Sequence, residues 1–586
     1  MIPFNDFVSD RRIECILCRM RVQAANQRHH VHLLHNLSSE KHFLPIRDAE
    51  LYELFPPRKE WQALKPENRG VNICNNQGRQ VRYPINTLDK NLKSLRVTLK
   101  HLRTVDPDNE YLLKLSRFYS EVRKMCCDVS YSIQSPKTYA QVKQDTKLTN
   151  EGRQECRPIC CFESLKDRVI IKLVNQYLTI LFDPYFINDN SLAFRAKRTY
   201  CGEDNVYTTH HHSIDRIQTY LDEHKRANIY VAECDIKKFY DSVNHKIIKN
   251  QFYFFLAKVK RDYPELSFTA IEHLFLSYLN CFTFPKVVYS CNRKPVYWKE
   301  QKVENGFFKW IEDDLIENKL CKSRRSICQL KIGIPQGGAI SGVIANLVLD
   351  YADRKVLNDN DKHCLYIRYC DDMILLHTNK KKCERKLSIY KKSLSDVCLI
   401  PHKFEPVEFK TESFWRAKSK PIYSWGHDSN WIGFVGYEIK RTGEIRIRKK
   451  SLQKELNKQI EVRKKLEKIA RHSLNSSKET LQESLNHRLL GMSVGRISLW
   501  NHGHTPYDLC WVNGFKKINW NKYSKYQLQR LDSNRNKQMI RLKKVISKYP
   551  EQKQDFSLLF EKKTVTKFYG NPFSYYFNAL NSHKRG

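Results

Sequence analysis

Residues 365–376 read LYIRYCDDMILL, and two adjacent carboxylates, Asp371 and Asp372, interrupt what are otherwise two apolar, β-branched or aromatic runs. The flanks have strand composition. Two readings fit the interruption. Asp is a common turn residue, so the pair can be the tip of a hairpin. Carboxylates are also the hard oxygen donors that Mg²⁺ takes, and a bound cation would offset the repulsion between them. The stretch alone does not decide.

Working outward, NIYVAECDIKKFYDSVNH (228–245) carries a β-branched strand into another acid, Asp235. KIGIPQGGAISGVIANLVLDYA (331–352) then gives a Gly-rich turn and a helix with Ile340, Ile344, Leu347 and Tyr351 on one side. The chain therefore offers, in order, a strand ending in Asp, a Gly turn opening a helix, and a strand pair with Asp-Asp at its tip. Strand carboxylates brought together in this way can hold two Mg²⁺ ions about 4 Å apart, the arrangement that stabilises attacking and leaving oxygens in nucleotidyl transfer.

Composition narrows the partners. In 586 residues, 103 Lys and Arg face 63 Asp and Glu, leaving a net charge of +40. That excess repels itself unless a polyanion neutralises it, and nucleic acid is the default partner. The length suggests three or four subdomains, and the 41% hydrophobic content is ample for folding. No apolar span of about 20 residues is free of polar interruptions. The best candidate, 266–285, contains Glu272, His273 and Asn280 and reads as a buried helix, so no membrane is expected. MIPFNDFVSDRRIEC has no basic start followed by an apolar run, which favours a cytoplasmic protein whose 19 cysteines are mostly reduced. Cys15 and Cys18 form a CxxC with His29, His30, His32 and His35 downstream, a spacing near that of zinc sites.

The remaining segments are read from periodicity. LDKNLKSLRVTLKHL (88–102) and YLLKLSRFYSEVRKM (111–125) repeat at helical spacing with basic outer faces, and SLKDRVIIKLVNQYLTILFDPYF (164–186) is helical until its Asp-Pro. Residues 440–471 hold thirteen Lys or Arg against four Glu, with Leu452, Leu456, Ile460 and Ile469 on an apolar side. SLWNHGHTPYDLCWVNGFKKINWNKYSKY (498–526) interleaves aromatics with basics, a mixture that suits folded RNA and equally a small domain with buried Trp.

DIKKFYDSVNH, GIPQGG with SGVIANLVL, and YCDD together resemble the palm motifs of bacterial-type reverse transcriptases, the superfamily of group II intron, retron and phage-defence enzymes. RPI, DRVI, FDPYF and SLAFRAKR resemble that family's finger motifs, and WIGFVGYEI resembles the hairpin that grips the primer. The resemblance spans about 150–470. It implies an α+β right-hand polymerase with a ferredoxin-like palm, helical fingers, a helical thumb and a C-terminal helical domain. The expected division is an N-terminal extension at 1–84, fingers at 85–228, palm at 229–440 with a finger insertion near 245–330, thumb at 441–475, and a basic, aromatic RNA-binding domain at 476–586.

Carried over by position, Asp235 and Asp371 would ligate two Mg²⁺ ions with the Ile236 carbonyl, and Asp372 would support them. Tyr240 would lie beneath the sugar of the incoming nucleotide, where a ring clashes with a 2′-hydroxyl and selects dNTPs. Gln336, Gly337 and Gly338 would lie against the nascent base pair. Arg157 and Arg168 would reach the triphosphate. The family's proton-donating Lys usually follows a Gly-Leu pair. VCLIPHKFEPVEFKT (397–411) lacks that Gly and offers Lys403 and Lys410. Arg446, Arg448, Lys449 and Lys450 would face the template–primer backbone.

The resemblance implies an RNA template, a DNA product and, for a defence-associated enzyme without an intron endonuclease module, a dedicated noncoding RNA. An intron- or retron-type enzyme and a maturase-like RNA-binding scaffold are the alternatives. A viral-type RNA-dependent RNA polymerase fits less well. It places an acid five residues after the first Asp, where this chain has Tyr240 and only then Asp241.

Overall fold

The two apolar runs around Asp371 and Asp372 pair with each other and with the strand that ends before Asp235. In this computed structural model, which describes residues 1–35, 46–65, 70–74, 80–84, 87–143, 152–187, 190–200, 203–404, 408–409, 411–472, 478–490, 514, 517–548, 571, 573–574 and 577, the chain divides into two compact units. They are Met1–Leu17 with Glu110–Asn430, and Cys18–Asn109 with Trp431–Gly586.

The first unit is built on a four-stranded sheet. Its elements are β1 (Ile229–Cys234), helix α1 (Ser341–Val356), β2 (Cys364–Tyr369), β3 (Asp372–His377), helix α2 (Lys380–Asp396) and β4 (Lys420–Trp425). The strand order is β4-β1-β3-β2, every neighbour antiparallel. A βαββαβ chain in that order is the ferredoxin-like arrangement. The strands are almost wholly buried, which is why MILL runs apolar without alternation.

Helix α1 departs from the one-sided stripe expected of it. Ser341 through Asp350 are all buried, so apolar residues appear on more than one face of the helix, as in an enclosed helix. Its two buried acids each have partners. Asp353 lies against Arg368, and Asp350 accepts the Ile187 N–H at 3.0 Å.

Elsewhere in this unit the sequence punctuation holds. Ser164 caps helix Leu165–Phe182 by accepting the Asp167 N–H at 3.2 Å, and the helix stops at Asp183-Pro184. Helix Thr269–Asn280 buries Ile271, Leu274, Phe275, Tyr278 and Leu279. Among the described residues no helix is long and apolar enough to cross a membrane. Strand Gln154–Cys161 pairs with Lys137–Val142 on one side and Gly306–Phe308 on the other.

The second unit contains a three-stranded sheet, β5 (Trp431–Phe434), β6 (Tyr437–Lys440) and β7 (Ile445–Ile447), followed by helices α3 (Lys449–His472), α4 (Lys478–Leu490) and α5 (Lys522–Ile546). Leu466, Leu481, Leu485, Leu489, Met539, Leu542 and Ile546 from all three helices share one core. Helices on both sides of the 475/476 boundary thus share a core. The basic helix and the segment beyond it form a single bundle, because neither helix can bury its apolar face alone.

Helix α5 also seals the open edge of β7. Asn519 accepts the Ile445 N–H at 2.8 Å, and the Gln527 amide both accepts the Ile447 N–H (2.9 Å) and donates to its carbonyl (2.8 Å). An edge strand left with bare backbone groups would otherwise invite pairing with another chain.

Helices Thr87–Val105 and Glu110–Cys127 fall in different units, although both repeat at helical spacing as expected.

The zinc expectation is not supported. Cys15, Cys18 and the four histidines lie on one continuous helix, Asp10–His35. Cys18 and His29 are eleven residues apart, about 16 Å along the axis, so the chain cannot fold back to close four ligands round one ion. Cys18 is buried, and the side chains of His29 to His35 lie outside the described residues.

Candidate active site

Asp371 and Asp372 lie at the tip of a hairpin, as one of the two sequence readings expects. β2 and β3 are joined by Cys370 and Asp371, with Tyr369 paired to Asp372. Cys370 has φ of 60°, the left-handed conformation that a two-residue hairpin demands at its first position and that a non-Gly residue rarely adopts.

Arg368 holds that turn. Its guanidinium is fully buried, donates to the Cys370 carbonyl at 2.9 Å, and pairs with Asp353 on α1 at 2.6 Å. Tyr366 donates to the same Asp353 at 2.7 Å.

Register brings the second acid alongside. β1 and β3 pair Cys234 with Met373, and one further step along the ladder sets Asp235 level with Asp372. Burial raises the Asp371 carboxyl above its ordinary range, and the charge of Asp235 raises it further. Burial likewise pushes the Cys234 thiol up to about 12, with Asp235 and Asp372 adding to the effect. Asp372 itself is exposed. The structure thus couples Asp235 to Asp371 and leaves Asp372 at the rim. Among the described residues no three His, Cys, Asp or Glu side chains are grouped as a metal cluster.

The cation beside these acids is one that sequence reasoning missed. Lys418 places its ammonium 2.8 Å from Asp235 Oδ2 and 3.2 Å from His402 Nε2. Two residues on, the buried Lys420 pairs with Glu233, which also accepts Tyr423 Oη at 2.6 Å. The signal was present as alternation. Glu-Cys-Asp (233–235) and Lys-Ser-Lys (418–420) have matching opposite charges two residues apart, and β4 pairs antiparallel to β1 with Lys420 opposite Glu233. Lys403 is exposed, and Lys410 lies outside the described residues.

Tyr240 is half-buried, and its hydroxyl lies 2.9 Å from Cys370 Sγ, directly beside the turn. Burial holds its phenol well above the usual range. Ile236 is buried next to Asp235 and bridges to Pro401.

The Gly turn is tied into the protein around it. Gln336 Nε2 donates to Asp241 Oδ1 at 2.5 Å, and its carbonyl accepts the Cys160 N–H at 2.9 Å, so its amide is spent inside the protein. Gly337 has φ of 101°. A Cβ at Gly338 would fall 2.1 Å from Tyr278 Oη, so close approach there serves Tyr278. Asp241 is 1% exposed where it accepts from Gln336. His245 supports the same loop. Burial lowers its imidazole to about 4, and the neutral ring donates from Nε2 to the Gly333 carbonyl at 2.7 Å.

Arg157 is exposed on the strand whose Cys160 bonds Gln336, whereas Arg168 is half-buried in helix Leu165–Phe182. In the second unit Arg446 has partners within the protein. It pairs with Glu438 across β6 and β7 at 2.7 Å, and its guanidinium lies 3.8 Å from the centre of the Trp431 ring. Lys449 and Lys450 are exposed in the first turn of α3, and Arg448 is half-buried.

With this geometry in place, residues 143–405 match the family model described as reverse transcriptase (RNA-dependent DNA polymerase). The chain carries a reverse transcriptase domain, and its enzymatic class is that of an RNA-dependent DNA polymerase, a nucleotidyltransferase. Such a domain takes an RNA template and yields DNA.

No curated protein matches the chain. Among solved structures it is similar to the apo telomerase of Candida tropicalis, at 13% identity over 83% of this chain and 72% of that one, with a TM-score of 0.34. It is also similar to telomerase from Candida albicans in complex with a fragment of telomeric RNA, at 12% identity over 81% and 66% of the two chains, with a TM-score of 0.30. At such scores the likeness says nothing of what this chain binds.

Proposed function

We propose that the chain extends a primer 3′ end with dNTPs on an RNA template at the Asp235–Asp371 pair, in a right-hand polymerase whose palm is the β1–β4 sheet. One observation carries the reading. Two acids 136 residues apart converge at the tip of neighbouring strands within the reverse transcriptase segment. The donor set suits a hard divalent cation, since Asp371 is held up by the charge of Asp235 and an ammonium already rests on Asp235. Asp235, Asp371 and the Ile236 carbonyl would hold two Mg²⁺ ions, with Asp372 at the rim. Bound there, Mg²⁺ supplies charge neutralisation for the attacking and leaving oxygens.

The protein's own groups do the rest. Tyr240, braced against Cys370, closes the space a 2′-hydroxyl would need. Lys418 replaces Lys403 as the amine that gives a proton to departing pyrophosphate. Arg157, and less directly Arg168, meets the triphosphate, while Gln336 and Gly337 shape the floor beneath the base pair. Arg448, Lys449 and Lys450 line the primer–template backbone as part of a thumb, with the C-terminal bundle contributing RNA contacts.

The finer reading is a cytoplasmic, defence-associated bacterial enzyme working with a dedicated noncoding RNA. The motif resemblance and the +40 net charge support it. Sequencing the nucleic acid that co-purifies with the protein tests it. One recurrent RNA species is expected, and a random sample of cellular RNA would contradict the dedicated partner.

A further inference from the structure

Asp235, Asp371 and Tyr240 leave unexplained a bulky residue held nearby in an unfavourable conformation. Phe194 has φ of 56°, in the left-handed region, and its ring is 50% exposed. Such a conformation persists at a non-Gly residue only where the surroundings fix it.

Here they fix it from both sides. Asn346 Nδ2 donates to the Ala193 carbonyl at 2.9 Å and the Phe194 carbonyl at 3.4 Å. Ser191 Oγ donates to Asn346 Oδ1 at 3.0 Å, Thr208 Oγ1 donates to the Leu192 carbonyl at 2.7 Å, and Arg195 is locked to Asp183 at 2.6 Å. The backbone is tied down at every flank while the ring is turned out to solvent.

Two further features give the ring a purpose. It sits over Gly342, where a Cβ would fall 2.5 Å from Phe194 Cγ, so the helix start is kept bare to seat it. The asparagine that holds Phe194 also accepts Arg368 Nη1 at 3.3 Å, and the same nitrogen donates to the Cys370 carbonyl at 2.9 Å. Two side chains thus connect the ring's backbone to the turn that carries Asp371. On the adjoining hairpin Tyr207 is 62% exposed, with the Lys197 ammonium 5.2 Å from its ring centre. Exposed flat rings with a cation beside them accept nucleobases of any sequence and hold the phosphate that follows.

We propose that Phe194 is a stacking platform for an unpaired base of the strand being copied, with Tyr207 and Lys197 making a second contact to that strand. The inference rests on the polymerase reading above.

An RNA template–DNA primer duplex with 2-aminopurine at successive positions of its template overhang tests it with the full chain. The wild-type protein should quench the probe at one position. Phe194→Ala should lose that quenching and bind the duplex roughly 5- to 150-fold more weakly, the range seen when a stacking aromatic is removed. Phe194→Trp should keep both, and Gly342→Ala should lose the quenching by displacing the ring. Phe194→Leu refills the space over Gly342 without a π-face and should behave as Phe194→Ala. If Phe194→Leu matches the wild type, or Phe194→Ala keeps full quenching and affinity, the ring only covers Gly342 and the inference fails. If the wild-type protein binds no primer–template at all, the polymerase reading itself fails.

Discussion

Asp371→Asn is expected to abolish primer extension, a loss of roughly 10³-fold or more, while leaving RNA affinity within about two-fold of wild type. The substitution is nearly isosteric and removes one full negative charge from a pair that already strains against itself, because burial and Asp235 both raise the Asp371 carboxyl. Folding should not suffer, since relieving that repulsion removes a cost. RNA affinity should persist, because it comes from a net charge of +40 spread along the chain. Primer extension and filter binding on the same preparation separate the two effects. A variant that still extends primers places the chemistry elsewhere. If RNA-dependent phenotypes in cells survive Asp371→Asn, the scaffold reading is favoured over the enzyme.

Arg368→Ala should give the largest loss of stability, about 3–5 kcal/mol, seen as a marked fall in melting temperature. Asp353 is 1% exposed and receives Arg368 Nε and Nη2 together with the Tyr366 hydroxyl. Deleting the guanidinium leaves a buried carboxylate with no cation. The pair Arg368→Met with Asp353→Leu removes both charges and should recover most of the stability, because two well-packed apolar residues can replace a buried ion pair. It should not recover activity. The Cys370 carbonyl loses the donor that fixes the left-handed turn, and Asp371 loses its aim at Asp235. Recovery of both stability and synthesis by the double variant would reduce Arg368 to a packing element.

What the sequence showed and what it hid follow from range. The hairpin tip, the strand into Asp235 and the helix that stops at Asp183-Pro184 were legible because each is written in contiguous residues with a clear period or punctuation. The aromatic five residues after Asp235 was placed by the resemblance, and its contact with Cys370 was not. Lys418 was hidden because its partner lies 183 residues away, and only the β4–β1 register makes the two alternating charge pairs visible. The partners of Gln336 and Arg446 were hidden for the same reason. Both look like free polar side chains in the sequence, yet buried Asp241 and Glu438 claim them once the strands assemble. The change in composition at 475/476 does not mark a change in core. α3, α4 and α5 differ in charge and aromatic content but bury their leucines together.

The central claim is that the Asp235–Asp371 pair, with Tyr240 beneath it, builds DNA on RNA. Single-nucleotide extension of a primer on a defined RNA template, with Mg²⁺ and either the four dNTPs or the four rNTPs supplied separately, tests this most directly. Incorporation of the template-complementary dNTP, lost on chelating Mg²⁺ and largely absent with rNTPs, is the expected result. Extension with rNTPs alone, or extension that survives removal of the metal, would contradict it.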